Sequence, residues 1–158
     1  MPHALQISRK IEYGTRAMAF MASLPDGMTT SFREIARKMA IPEEFLAKIL
    51  KTLVKAQLVR STRGAHGGYN LGRPPSQISF LDVIEAVEGP VGVNHCTDQE
   101  KSQLGCSFSG SCTLHHVWAE GQARMLEVYR ATTLDKLAMR SLGTGHESPV
   151  LAAMRAAE

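Results

Sequence analysis

Apolar residues recur at helical spacing from the start of the chain. Tyr13, Ala17, Phe20, Met21 and Leu24 fall on one face behind a possible cap at Ser8, and this predicts a first helix over 8–24. Pro25-Asp26-Gly27 is a turn signal. Ser31 and Glu34 then have the spacing of a capping box, which starts a short second helix over 31–39 with Ile35 and Met39 inward. Ile41-Pro42 ends that helix, and Pro42 suits the entry to a third over 43–56. The third helix is expected to bury Phe45, Leu46, Ile49, Leu50, Leu53 and Val54 and to turn Lys48, Lys51 and Lys55 outward. Two short helices joined by a tight turn, the second basic on its outer face, predict a helix-turn-helix.

The pattern changes after residue 56. A short β-prone run at 57–61 and another at 69–72 flank a glycine-rich loop, 62–68, with Arg63 near its tip. This is a β-hairpin wing, in which glycines let the backbone turn and come close to another surface. The loop is not a nucleotide cradle, because no Lys-Ser/Thr follows Gly67-Gly68 and a strand rather than a helix comes next. Residues 73–77 read as a linker. Ser79 and Asp82 open a helix over 80–87, and residues 89–92 end it. A long helix over 113–130 carries Leu114, Val117, Trp118, Gly121, Met125 and Val128 as a stripe too exposed for one helix alone, so it needs a partner. Thr133 starts a last short helix through Leu137, and the tail carries Gly143, Gly145 and Pro149 before an Ala-rich run. The expected fold class is mainly α with a small β-hairpin wing. The expected organisation is a winged helix-turn-helix over 1–75, a loop and long helix over 76–140, and a loose tail over 141–158.

Charge sharpens this picture. The net charge is +3 over 158 residues, but residues 1–75 carry 12 Lys and Arg against 5 Asp and Glu, whereas residues 76–158 carry 6 against 10. A basic half joined to an acidic half suits a polyanion-binding module attached to something else. The alternative is a basic face that only meets solvent. An apolar fraction of 44% with 21% charged residues gives enough material for a core. No run of 18 apolar residues is present, and the N-terminus lacks the apolar block of a signal peptide, so a cytoplasmic protein without a membrane segment is expected. No paired carboxylates, nucleophile–base motif or cofactor fingerprint argues for an enzyme.

All three cysteines, Cys96, Cys106 and Cys112, lie within 17 residues, in a loop rich in Gly and Ser. An odd number excludes a simple disulfide framework. Thiolates are the usual ligands of iron–sulfur clusters, and small residues let a loop wrap a bulky group and offer N–H donors to its sulfides. Zinc is a rival, since Cys112-x-x-His115 is half of a zinc site, although neither Cys–Cys gap has knuckle length. A metal-free thiol–disulfide switch and inert cysteines are further alternatives. A protein-contact module that uses the winged helix without DNA is the competing class.

Taken together, ISRKIEYGTRA, SFREIARKMAIPEEFLAKILKTLVKAQLVRSTRGAHGGYNLGR and three cysteines followed by TLHHVW resemble one family. It is the family of bacterial winged-helix regulators that includes the iron–sulfur cluster regulator (IscR) and the nitric-oxide-sensing repressor (NsrR). The resemblance covers roughly residues 5–138, with the RGxxGGYxLG wing as its strongest part. It implies a homodimer joined through the long helix and bound to double-stranded DNA at an inverted-repeat operator, repression being its usual mode. It implies a recognition helix with Lys48 and Lys51 outward, and a wing that brings Arg63, Gly64, Gly67, Gly68 and Tyr69 to the DNA. Lys10 and Arg33 are implied phosphate contacts. It also implies an iron–sulfur cluster, 2Fe–2S or 4Fe–4S, on Cys96, Cys106 and Cys112. Either His115 or Glu12 matches the position of a further ligand, Glu12 acting from the second subunit. Two irons would suit three cysteines with a histidine, and four irons three cysteines with a carboxylate. The sequence departs from the family in two places. The gap between Cys96 and Cys106 is nine residues, longer than expected, and Ala47 replaces an acidic residue of the recognition helix.

Overall fold

A computed structural model describes residues 7–64, 67–94, 96–97 and 111–138 of the chain. Cys106 and the tail over 141–158 lie outside the described residues. Among the described residues six α-helices and one hairpin follow in the order α1 (Arg9–Ala22), α2 (Phe32–Met39), α3 (Glu43–Lys55), β1 (Val59–Thr62), β2 (Gly68–Leu71), α4 (Phe80–Glu88), α5 (Thr113–Ala131) and α6 (Leu134–Leu137). The mainly helical chain with one antiparallel hairpin agrees with the predicted fold class.

Local chemistry sets the helix ends. The Ser8 side chain accepts from the Ile11 N–H and caps α1. Ser79 accepts from the Asp82 N–H while the Asp82 carboxylate accepts from the Ser79 N–H, a complete capping box on α4. The expected box on α2 is only half formed. Ser31 accepts from the Glu34 N–H at 3.2 Å, but the Glu34 carboxylate turns to the Thr30 hydroxyl at 3.0 Å instead. Thr30 is nearly buried, so its hydroxyl needs that partner more than the exposed Ser31 backbone does. The first strand starts two residues later than the sequence suggested. Gln57 adopts a left-handed conformation with φ 58°, and the Leu58 N–H bonds back to Leu53, so these residues finish α3.

One core gathers the interior faces. Ala17 and Met18 of α1, Ile35 of α2, Leu46, Ile49, Leu50 and Leu53 of α3, Val83, Ile84 and Val87 of α4, and Leu134 of α6 are buried together. Phe45 was expected among them and is not. It stays 45% exposed on the flank of α3, beside Tyr13, ring centroids 6.0 Å apart. The stretch at 73–77 is no free linker either. Pro75–Gln77 forms a 3-10 turn that delivers Ile78 to the core, and backbone bonds Phe80 N to Thr132 O and Leu134 N to Ile78 O join α4 to the entry of α6.

The wing is tied to the helix-turn-helix by backbone. β1 and β2 pair with Val59 opposite Leu71 and Thr62 opposite Gly68. Tyr69 then exchanges both backbone hydrogen bonds with Thr30, at 2.8 and 2.9 Å. Gly68 makes this possible: a Cβ there would stand 2.6 Å from the Thr30 carbonyl oxygen. Gly68→Ala is therefore expected to force the wing off Thr30 and to cost about 1–3 kcal/mol, as overpacking does. Urea denaturation measures it, and an unchanged midpoint would mean that the hairpin relaxes freely away from the α1–α2 turn.

Candidate nucleic-acid interface and cysteine loop

The buried residues of α3 fix what its other face presents. With Leu46, Ile49, Leu50 and Leu53 inward, Glu44, Lys48, Lys51 and Lys55 form an exposed ridge along the opposite side. Arg33 is exposed in the first turn of α2. Arg63 is exposed at the end of β1, where Gly64 takes φ +120° to turn the chain. Gly67 donates to the Gly64 carbonyl at 2.9 Å and closes that turn. Tyr69, in contrast, has its backbone bonded to Thr30 and packs against the core, and Gly68 is paired with Thr62 in the hairpin. Two further cations were not singled out from the sequence. Arg60 and Arg73 are exposed and line an open cleft behind the wing with Gln57, Ser61 and Gly72. The alternation of Val59 inward and Arg60 outward was the available signal for the first.

Two α1 candidates have partners within the chain. Lys10 is half-buried, and its ammonium donates to the Val87 carbonyl near the end of α4. This satisfies a carbonyl that has no helical donor left and places positive charge at the negative end of the helix dipole. Glu12 pairs with Arg16 one turn along, and both stay substantially exposed. Arg16 lies over the Tyr13 ring, 6.0 Å from its centroid, and also reaches the Met39 carbonyl at 3.4 Å. Glu12 and Arg16 edge an apolar groove of about 320 Å³ lined by Ile7, Ile11, Ala19, Phe80 and Leu137.

The cysteine loop is anchored at both described ends. Cys112 is the residue before α5, and the His115 N–H donates to its carbonyl at 3.3 Å. At the other end, the Thr97 N–H donates to the Asn94 carbonyl at 2.9 Å and the Thr97 hydroxyl accepts from the Asn94 N–H at 3.1 Å, which draws Thr97 back onto Asn94. Gln122 holds that segment to α5. Its Oε1 accepts from the Val93 N–H at 2.9 Å, and its Nε2 donates to the Thr97 carbonyl at 3.1 Å. Cys96 therefore sits inside a segment clamped to the helix that Cys112 begins. His115 and Gln122 are seven residues apart, two turns on one face of α5. Cys96 and Cys112 are free, half-buried thiols. Among the described residues no three His, Cys, Asp or Glu side chains gather as a metal site. His116 stacks edge-on against His115, with centroids 6.0 Å apart. Gln122 was legible only as a polar residue beside the apolar stripe; its role needed the fold.

The opposite face of α5 has no partner among the described residues. Leu114 is 61% exposed and Val117 64%, with Trp118 and Val128 also exposed. No residue of α5 is buried. Its inner side touches α4 through Tyr129, whose ring meets Phe80 edge-on at 5.0 Å. No helix among the described residues is long and apolar enough to cross a membrane.

The Rrf2 family model, described as an iron-dependent transcriptional regulator, matches residues 7–140. An HTH-type transcriptional regulator of Mycobacterium tuberculosis is 36% identical over 135 residues, 85% of this chain and 81% of that protein. Among solved structures, CymR, the global cysteine regulator of B. subtilis, is similar at 34% identity and TM-score 0.65, covering 85% of this chain and 96% of its own. The IscR of T. potens is similar at 29% identity and TM-score 0.70, covering 90% and 94%. An oxidized form of Staphylococcus aureus CymR is similar at 28% identity and TM-score 0.64, covering 89% and 100%.

Replacing Gln122 by Ala removes both halves of the clamp. Each bond is worth on the order of 1 kcal/mol, so amide hydrogen exchange at Val93 should quicken about five- to thirtyfold, with the α1–α3 amides unchanged. Unchanged exchange at Val93 would mean that other contacts hold the loop to α5.

Proposed function

The chain belongs to the Rrf2 family of transcriptional regulators, and from that premise we propose that it binds an inverted-repeat operator as a homodimer and takes its signal at the cysteine loop. Its relatives are regulators rather than enzymes. The observation that carries the proposal is the Gln122 clamp, which makes the segment around Cys96 and the long helix beginning after Cys112 one mechanical unit. The exposed stripe of Leu114, Val117, Trp118 and Val128 supplies the apolar surface that a second copy would cover. On the DNA side, Lys48 and Lys51 project from α3 into the major groove. Arg63 reaches from the wing to the minor groove, and Arg33 meets phosphate. Arg60 and Arg73 extend the basic surface behind the wing.

The donor set fits an iron–sulfur cluster in kind. Two free thiols flank the loop, Cys106 supplies a third within it, and His115 lies on the same face of α5 as the clamp. Within one chain His115 is the better placed fourth ligand. Glu12 stands on α1 beside Arg16 and would serve only from the second subunit. Bound there, a cluster supplies iron–ligand bonds that oxidants or nitric oxide break. The chain's own residues do the rest. Gln122 and Thr97 hold the loop's first end, and α5 and Tyr129 connect it to α4. A change in the loop then biases the dimer between two spacings of its α3 helices. A metal-free thiol switch is the second reading. The likeness to CymR, a global cysteine regulator also solved in an oxidized form, favours it, and Cys96 and Cys112 are free thiols. A structural zinc on Cys112 and His115 completes the alternatives.

Anaerobic purification, an absorbance spectrum and assays of iron, sulfide and zinc separate these readings. Near-equal iron and sulfide, both lost in Cys106→Ala together with the DNA response to oxidant or nitric oxide, is the expected result. Stoichiometric zinc, or reversible oxidation without metal, would replace the cluster by a structural site or a thiol switch. For the DNA side, Arg63→Ala should weaken binding to every duplex and make the dependence of log K on log salt shallower by about 1. Binding indifferent to salt would overturn the DNA reading.

A further inference from the structure

The outward ridge of α3 does not carry a single sign of charge. Lys48, Lys51 and Lys55 follow Glu44 along it at spacings of four, three and four, and all are exposed. A carboxylate at the head of a basic ridge works against a surface that meets phosphates, because like charges at close range repel. Among the described residues Glu44 forms no salt bridge, although Lys48 stands one turn away. The helix dipole favours an acidic first turn, but Glu43 already places a carboxylate there, away from the ridge. Ala47, also exposed beside Glu44 and Lys48, offers no hydrogen-bonding group.

Resting on the proposal that α3 enters the major groove, we infer that Glu44 is a specificity residue that selects a C·G pair together with Lys48. A carboxylate only accepts, and an ammonium only donates. In the major groove the cytosine N4 amino group is a donor, whereas guanine presents O6 and N7 as acceptors. Glu44 would take the cytosine amino proton while Lys48 donates to guanine, so each side chain is satisfied by one base of the pair. Thymine places the O4 acceptor where Glu44 needs a donor and is rejected. Adenine has an amino donor but sets the N7 lone pair beside it, which repels the second carboxylate oxygen. The carboxylate thereby lowers affinity for phosphate-lined DNA in general and restores it only at the right base.

The test is selection from a pool of randomised duplexes with the full chain, followed by affinity measurements on the selected and on random-sequence duplex. Wild-type protein, Glu44→Ala and Glu44→Gln are compared. The expected result is one C·G pair per half-site preferred by wild type. Glu44→Ala loses about tenfold of preference at that pair alone and binds random duplex as tightly as wild type or more tightly. Glu44→Gln, of the same shape, loses the preference too. Identical preferences at every pair in both variants would overturn the inference, and a lowered melting temperature alongside them would assign Glu44 to the helix dipole. If wild type shows no salt-dependent binding to any duplex, the DNA reading itself fails; if wild type binds and selects but the variants select alike, only the role of Glu44 fails.

Discussion

The close packing of α1 is the constraint on which the rest of the structure depends. This helix touches α2, α3, α4, α6 and the wing strand β2. It can do so because its inner positions are small where neighbours crowd. Ala17 is fully buried, and a Cβ at Gly14 would lie 3.1 Å from a Val87 methyl and 3.6 Å from an Ile49 methyl. Glycine costs about 1 kcal/mol of helix propensity relative to alanine. Here it lets α3 and α4 approach the same stretch of α1, so that the basic ridge of α3 and the helix leading to the cysteine segment share one support. The Lys10 bond to the Val87 carbonyl and the Ser8 bond to Glu88 fasten the start of α1 to the end of α4.

That shared support gives the cysteine loop a packed route to α3. Gln122 joins the Cys96 segment to α5, Tyr129 and Phe80 join α5 to α4, and α4 packs on α1 and α3. Interiors packed at crystal density do not deform continuously; elements shift as units. The two ends also differ in firmness. The half that carries α1–α4 and the wing is built on a buried core of aliphatic side chains, whereas α5 buries none of its residues within one chain. A helix left this exposed takes its final order from what covers its apolar face.

The charge pattern follows the same division of labour. Cations project from the ridge of α3, from α2 and from both sides of the wing, while the acidic surplus lies after residue 75. Surface charges of this kind contribute little to stability in water. They are therefore free to be placed for a polyanionic partner. Lys10 is the exception that shows the rule's limit, since its ammonium is turned to a carbonyl within the fold.

Much of this was legible along the chain, and the reason is locality. Helix periodicity, the Ser8 and Ser79 caps and the glycine-rich hairpin depend on residues within one turn of each other, so sequence spacing alone determines them. The outward lysines of α3 follow as directly once its apolar face is known. The need of α5 for a partner was legible in its apolar stripe, and the family resemblance added the expectation that this partner is a second copy. Tertiary structure decided what distance along the chain conceals. Phe45 has the apolarity of a core residue, yet it stays 45% exposed beside Tyr13. Glu34 left its capping partner because a buried threonine from the preceding turn came within reach. Gly68 is required by a carbonyl 38 residues earlier, and Gln122 grips a segment 25 and 29 residues away. A polar side chain's partner is set by what else the fold buries beside it, and no local pattern records that.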